Sequence, residues 1–144
     1  MHFYKDLCDL GNLFAVIASS GDATRFADLV APSYINHNPY VEQGLEGVIG
    51  FFGHFMSAVP DLTVTAQSVI ADVETQTVIG RYTYSGTHDG PFMGYAATGS
   101  AISMRSIDIW RVKNGKFVEH WDELNTLDLF QQIGAAQMLP ATAA

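Results

Sequence analysis

The sequence is poor in cysteine, in basic residues and in long apolar runs. A single cysteine, Cys8, among 144 residues cannot close an internal disulfide and supplies no CxxC or other zinc cluster, so a disulfide-stapled scaffold and a zinc module are excluded. Its place in a helical pattern marks it as a small core residue. Lys and Arg total seven against fifteen Asp and Glu, for a net charge of −8, and no basic cluster occurs. That balance argues against nucleic acid and anionic membrane surfaces as partners. No stretch approaches the ~18 apolar residues of a membrane span, and Lys5 and Asp6 interrupt what would be the apolar part of a signal peptide. No membrane partner and a cytoplasmic location are therefore expected. The five histidines, His2, His37, His54, His88 and His120, are scattered without a metal-ligand spacing such as HxxxH, so no metal site is expected.

What the chain has is aromatic surface: nine Phe, six Tyr and two Trp in a composition 48% hydrophobic and only 15% charged. A lined cavity is one use for that excess, and a plain core with a subunit interface is another. Leu7, Leu10, Phe14 and Ile17 recur at helical spacing and predict a helix over about 3–19, closed by Ser19-Ser20-Gly21. Asp22 is placed to cap a second, short helix with Phe26, Leu29 and Val30 on its apolar face, ended by Pro32. Tyr34 to Pro39 reads as extended chain entering a turn, since a residue before proline avoids helical geometry. A third helix is predicted over 45–59. The period then changes, with β-rich stretches at about 62–71, 77–87, 98–112 and 116–123, a final helix near 125–133 ending at Gly134, and a frayed tail over 137–144. Helices followed by a strand meander imply one α+β domain over 1–136, with helices on one face of an antiparallel sheet.

Lys113-Asn114-Gly115-Lys116 is a hairpin signal, and its loop length sets which side chains share a face. A two-residue loop pairs Lys113 with Lys116 and sets Asp122 opposite Ile107. A three-residue loop pairs Val112 with Lys116 and sets Asp122 opposite Ser106. The second is preferred, because it puts Ile102, Met104, Ser106, Asp108, Trp110 and Val112 on one face with Val118, His120 and Asp122. The other face then carries Arg105, Ile107, Arg111, Phe117, Glu119, Trp121 and Glu123, an amphipathic outer surface. In this register Asp108 lies across from His120 and diagonal to Asp122, and a carboxyl in an apolar cup beside a second carboxyl should titrate high, as acid/base work near neutral pH requires.

The ordered set Asn36-His37-Asn38-Pro39, Pro60-Asp61, Gly86-Thr87-His88-Asp89-Gly90, Thr98-Gly99 and Gly115-Lys116-Phe117-Val118-Glu119-His120-Trp121-Asp122 resembles the SnoaL-like polyketide cyclases. These fall in the superfamily of nuclear transport factor 2, limonene epoxide hydrolase and ketosteroid isomerase folds. The resemblance covers about 8–134 and implies a cone-shaped α+β barrel of bent antiparallel sheet closed by helices at its wide end. It further implies aldol cyclisation or isomerisation of a hydrophobic carbonyl compound without metal or organic cofactor, with Asp122 as the general acid/base. In that picture His37 is a catalytic partner, Arg81, Asp108 and His120 position the substrate, and Tyr34, Phe52, Phe55, Met104 and Trp110 form apolar walls. A homodimer through the outer sheet face is also implied.

One departure is that Asp108 stands where such cyclases can place a histidine, fourteen residues before the acid. The limonene epoxide hydrolases, similar over the same region, carry Arg-x-Asp on the middle strand. This chain has Arg81-Tyr82-Thr83, which keeps the arginine, a candidate partner for Asp122 or a carbonyl oxygen, and lacks the acid. A different class of function, a non-catalytic small-molecule-binding protein of the same fold, is the alternative. His54 is expected to face solvent and His88 to cap a turn.

Overall fold

The computed structural model describes residues 1–142. Helix α1 (Tyr4–Ala18) is followed by a 3₁₀ turn (Ala23–Asp28), strand β1 (Val30–Asn36), helix α2 (Gly44–Ala58), strands β2 (Thr63–Asp72), β3 (Thr77–Thr87), β4 (Ala101–Lys113) and β5 (Lys116–Leu124), and helix α3 (Thr126–Gln132). The strands form one curved, unclosed sheet in the order β1-β5-β4-β3-β2, an α+β architecture. Residues 137–142 carry no helix or strand, and the remainder of the expected frayed tail lies outside the described residues.

Two expectations of local structure are corrected. The second helix is only a 3₁₀ turn, with Asp22 Oδ1 accepting from Thr24 N at 3.1 Å, and Val30 opens a strand in place of continuing a helix. Pro32 therefore lies inside β1, which it can do because β1 is an edge strand with one side free of ladder bonds. The sheet is also mixed: β1 runs parallel to β5, with Asn36 beside His120, while β2 to β5 form the antiparallel meander.

Strand β4 alternates without a break, Ile102, Met104, Ser106, Asp108, Trp110 and Val112 buried and their neighbours exposed, as period-two geometry demands of a half-buried strand. Helix α1 packs across β2 and β3. It approaches closely because Gly11 has no side chain: a Cβ there would lie 2.6 Å from Val69 Cγ1, and the bare Gly11 carbonyl accepts from Tyr82 Oη at 2.6 Å. Phe14 then reaches Tyr82 and Trp110, ring centroids 4.9 and 5.0 Å apart. Much of the aromatic excess is thus core. Helix α2 covers β1 and the 3₁₀ turn, and its start is tied to the end of β1 by Gln43, whose side chain accepts from Asn36 N at 2.9 Å and donates to Asn36 O at 2.7 Å. That double bond fixes where Asn36, His37 and Asn38 leave the sheet.

The hairpin follows neither simple register. Asn114 (φ 52°) and Gly115 (φ 75°) form a two-residue turn pairing Lys113 with Lys116 and Val112 with Phe117, so the preferred three-residue loop is wrong. A bulge follows at once: Arg111 pairs with Glu119, which leaves Val118 as the extra residue, and from there Trp110 pairs with His120 and Asp108 with Asp122. The two-residue turn shifts the strand one way and the bulge shifts it back. Asp122 therefore shares the concave face as expected, but opposite Asp108 and not Ser106. The two-residue turn also sets Phe117 opposite Val112 on the inner face, where it is fully buried and stacks on Trp110 at 4.4 Å, a correction to its expected place on the outer face.

Candidate active site

Three elements deliver polar side chains to the concave face: Asn36 and Asn38 from the end of β1, Ser106 and Asp108 from β4, and His120 and Asp122 from β5. His120 Nε2 lies 2.8 Å from Asp108 Oδ1, and His120 Nδ1 lies 3.0 Å from Asn36 Oδ1. Asn38 donates its backbone N–H to that same Asn36 oxygen at 3.0 Å, which fixes it as an acceptor and makes Nδ1 the protonated nitrogen. A proton must then also lie on the line between Nε2 and Asp108, whether as imidazolium and carboxylate or as imidazole and carboxylic acid, since two bare acceptors would repel. Ser106 Oγ donates to Asp108 Oδ2 at 2.6 Å; its one hydrogen is spent there, so Tyr84 Oη, 3.3 Å away, is the donor in their contact.

Asp122 stands slightly apart. Its Oδ2 accepts from Asn38 Nδ2 at 3.1 Å and lies 3.8 Å from His120 Nε2, and its Oδ1 has no partner among the described residues. Burial raises this carboxyl above its ordinary range; His120 and the Asn38 hydrogen bond pull it down, while Asp108 and Glu123 add to the rise. Two neighbouring spaces share this group in their walls. An outer cleft of about 240 Å³ is lined mainly by apolar side chains, Phe55, Phe92, Met104 and Phe130 among them. An inner chamber of about 50 Å³ has Tyr34, Phe52, Trp110 and His120 in its walls. Asn38, Phe55, Met104 and Asp122 line both, and no Lys or Arg lines either. Phe92 reaches the cleft from the β3–β4 connection. There His88, buried and not a surface cap, has Nδ1 2.9 Å from Thr98 Oγ1, and the exposed His54 accepts from Met93 N at 3.0 Å.

Two candidate residues lie elsewhere. His37 points to the outer face, where its Nε2 is 2.8 Å from Glu119 Oε2 and its ring stacks on Trp121 at 4.8 Å. Alternation along β1 and its extension explains this, because a strand that turns Tyr34, Asn36 and Asn38 inward must turn Ile35 and His37 outward. Arg81 is likewise exposed, paired across the ladder with Ile107 on the outer face, so it reaches neither Asp122 nor the cavity. In place of these two, Asn36, Asn38 and Tyr84 line the inner chamber, and Ser106 is buried behind it against Asp108. The signal for them was the same parity, counted from Tyr34 on β1, from Tyr82 on β3 and from Asp108 on β4. Asp108, His120 and Asp122 also offer one nitrogen and two oxygens within 4.8 Å of one another, so the groups that hold protons here are also the set that could hold a cation.

The sequence profile of the SnoaL-like polyketide cyclases matches residues 9–133. The chain belongs to this family. No functionally curated protein matches the sequence. Among solved structures, TsrD from Streptomyces laurentii is 31% identical, with a TM-score of 0.85 over 94% of this chain and 100% of its own. IdmH from Streptomyces antibioticus, described as a candidate polyketide cyclase, is 26% identical with a TM-score of 0.76 over 89% of this chain and 98% of its own. AclR from Streptomyces galilaeus, described as a candidate hydroxylase, is 26% identical with a TM-score of 0.78 over 94% and 87%. A hydroxylase and a cyclase are thus described on one fold, so the reaction of this SnoaL-like chain rests on its own site.

Proposed function

We propose that this SnoaL-like chain is a cofactor-independent acid/base enzyme that performs aldol cyclisation or isomerisation on a hydrophobic carbonyl compound. The observation that carries the reading is the place of Asp122: a high-titrating carboxyl with one oxygen unspent, lining both an apolar cleft and a largely apolar inner chamber whose walls also hold Asn36, Asp108 and His120. As base, Asp122 removes a proton from the carbon beside a carbonyl. The resulting enolate carbon attacks a second carbonyl of the same molecule, forming one carbon–carbon bond, and the carboxyl returns its proton to the new alkoxide. No atom is gained or lost, which is why one carboxyl suffices. Asn38 holds the reactive carboxyl through Oδ2, and the Asp108–His120 pair supplies a fixed, net-neutral neighbour. The apolar cleft folds the substrate and excludes water. Without Lys or Arg in its walls and with Asp122 and Glu123 facing it, the cleft suits an uncharged substrate.

The test is proton exchange on a simple ketone. Incubated in D₂O with 2-acetylnaphthalene, the protein should accelerate loss of the methyl proton signal over buffer. Asp122→Asn should lower that rate by about 10²–10⁴-fold with ketone affinity kept. Binding without exchange in the native protein would instead establish a non-catalytic small-molecule-binding protein. A homodimer through the outer sheet face belongs to the same proposal, supported by the exposure of Ile107, Ile109 and Trp121 there. Light scattering returning a monomer mass would count against it.

A further inference from the structure

Three tyrosines are buried on the concave side, and they spend their protons differently. Tyr82 Oη donates to the Gly11 carbonyl at 2.6 Å, and Tyr84 Oη donates to Ser106 Oγ at 3.3 Å. Tyr34 Oη accepts from Trp110 Nε1 at 3.2 Å, and its own proton has no acceptor among the described residues, although the residue is only 4% exposed. Trp110 satisfies the Tyr34 oxygen as an acceptor, and of the three phenol hydrogens only that of Tyr34 is left free for a partner in the chamber. The Tyr34 side chain lines the inner chamber with Asp122 and His120. Burial raises this phenol far above its usual range; the Trp110 hydrogen bond eases the rise, and Asp108 and Asp122 add to it. The hydroxyl therefore keeps its proton, accepts from Trp110 and has its own hydrogen left to donate.

We propose that Tyr34 donates a hydrogen bond to an oxygen acceptor on the ligand, which makes the substrate a neutral ketone or ester whose carbonyl enters the inner chamber while its α-carbon faces Asp122. The inference rests on the acid/base reading of Asp122 given above. The dimensions agree with it: a benzene ring takes a cavity on the order of 150 Å³, so a chamber of about 50 Å³ admits the carbonyl end and leaves any ring to the cleft of about 240 Å³. As Asp122 takes the α-proton, the electron pair of the broken C–H bond moves into the enolate and negative charge gathers on oxygen. The Tyr34 O–H bond stays intact and its hydrogen bond tightens onto that charge, while Trp110 N–H, bonded to the same phenol oxygen, polarises it further. Tyr34 thus passes from the apolar wall expected of it to a catalytic donor.

The experiment is infrared difference spectroscopy of 2-acetylnaphthalene labelled with ¹³C at the carbonyl, run beside the proton-exchange assay. In the native protein the bound carbonyl stretch should fall below its position in hexane. Tyr34→Phe should abolish most of that fall and slow exchange by about 10²-fold, and Tyr82→Phe, whose hydroxyl is bonded to the Gly11 carbonyl and lines neither space, should leave the stretch unmoved. Replacing Tyr34 with 3,5-difluorotyrosine, which keeps both the ring and the Trp110 bond but donates more strongly, should lower the stretch further. A stretch indifferent to both changes at position 34, with exchange through Asp122 intact, overturns the inference and leaves the acid/base reading standing. A lowered stretch that follows position 34 without any exchange supports the donor and overturns the acid. A ketone that does not bind the native protein removes both.

Discussion

Two histidine–carboxylate pairs occupy opposite faces of β5, and locally they are near copies. His37 stacks on Trp121 with centroids 4.8 Å apart, and His120 stacks on Trp110 at 5.3 Å. Each ring nitrogen lies 2.8 Å from a carboxylate oxygen, Glu119 outside and Asp108 inside. What differs is the surroundings. The outer histidine side chain is 43% exposed, and Glu119 is also held by the Arg111 guanidinium, so water and a permanent cation compensate its charge. The inner pair has side chains only 9% and 3% exposed, no Lys or Arg beside it, and a second carboxyl, Asp122, 3.8 Å from the ring. Residue identity and spacing alone do not separate the two. Exclusion of water, with an extra acid left uncompensated, makes the inner pair a site for proton chemistry.

That contrast can be broken most severely from the inside. His120→Ala strips the partner from a buried carboxyl and should cost about 3–5 kcal/mol in urea denaturation, whereas His37→Ala should stay within about 1 kcal/mol. Equal losses would mean that burial is not what distinguishes the pairs.

The next effect depends on pH, with a fixed sign. Asp122 has an ordinary value of 3.8 and is raised in the folded chain, chiefly by burial. The folded state therefore holds this proton more tightly than the unfolded state. The stability that goes with the protonated carboxyl is fully present below 3.8 and is lost as pH climbs through the folded-state value. Asp122→Asn keeps an uncharged group there at every pH. It should match the native protein in acid and become the more stable of the two as pH rises, while losing proton exchange. A constant difference across the series would show that Asp122 is not held protonated by its surroundings.

The smallest effect lies outside. Glu119→Gln should change stability by less than about 1 kcal/mol, by an amount that shrinks as salt is added, and should leave ketone exchange at the native rate. A large loss of exchange would tie the outer face to the reaction.

Much of this was legible beforehand. The unbroken alternation of β4 follows from period two and the hairpin from Asn114-Gly115, but the inward face of His120 and Asp122 is reached in the sequence through a three-residue loop the structure does not have, and it is the bulge that restores it. The same rule, applied one strand earlier, would have set His37 opposite to Tyr34, and on β3 it sets Arg81 opposite to Tyr82; a family motif read as a block hid both parities. The bulge at Val118 carries no comparable mark, because nothing in Phe117-Val118-Glu119 distinguishes a bulge from plain alternation. Its signature is indirect, in that a two-residue turn alone would have exposed Asp122. Pro32 was read as a helix stop because its other role, on an edge strand, depends on knowing that β1 lies at the margin of the sheet. The unspent Tyr34 hydroxyl is a property of three-dimensional hydrogen-bond counting and has no trace in one dimension.

The extra residue at Val118 makes the distance from turn to acid a matter of odd and even. Taking Val118 out would leave Arg111 opposite Glu119, Trp110 opposite His120 and Asp108 opposite Asp122 in a plain ladder, whereas flattening the bulge with Val118 kept would slip the strand by one residue and turn His120 and Asp122 to solvent. One residue can therefore be lost at the bulge without changing which acid meets the ligand, and the bulge is the slack that keeps Asp122 turned inward.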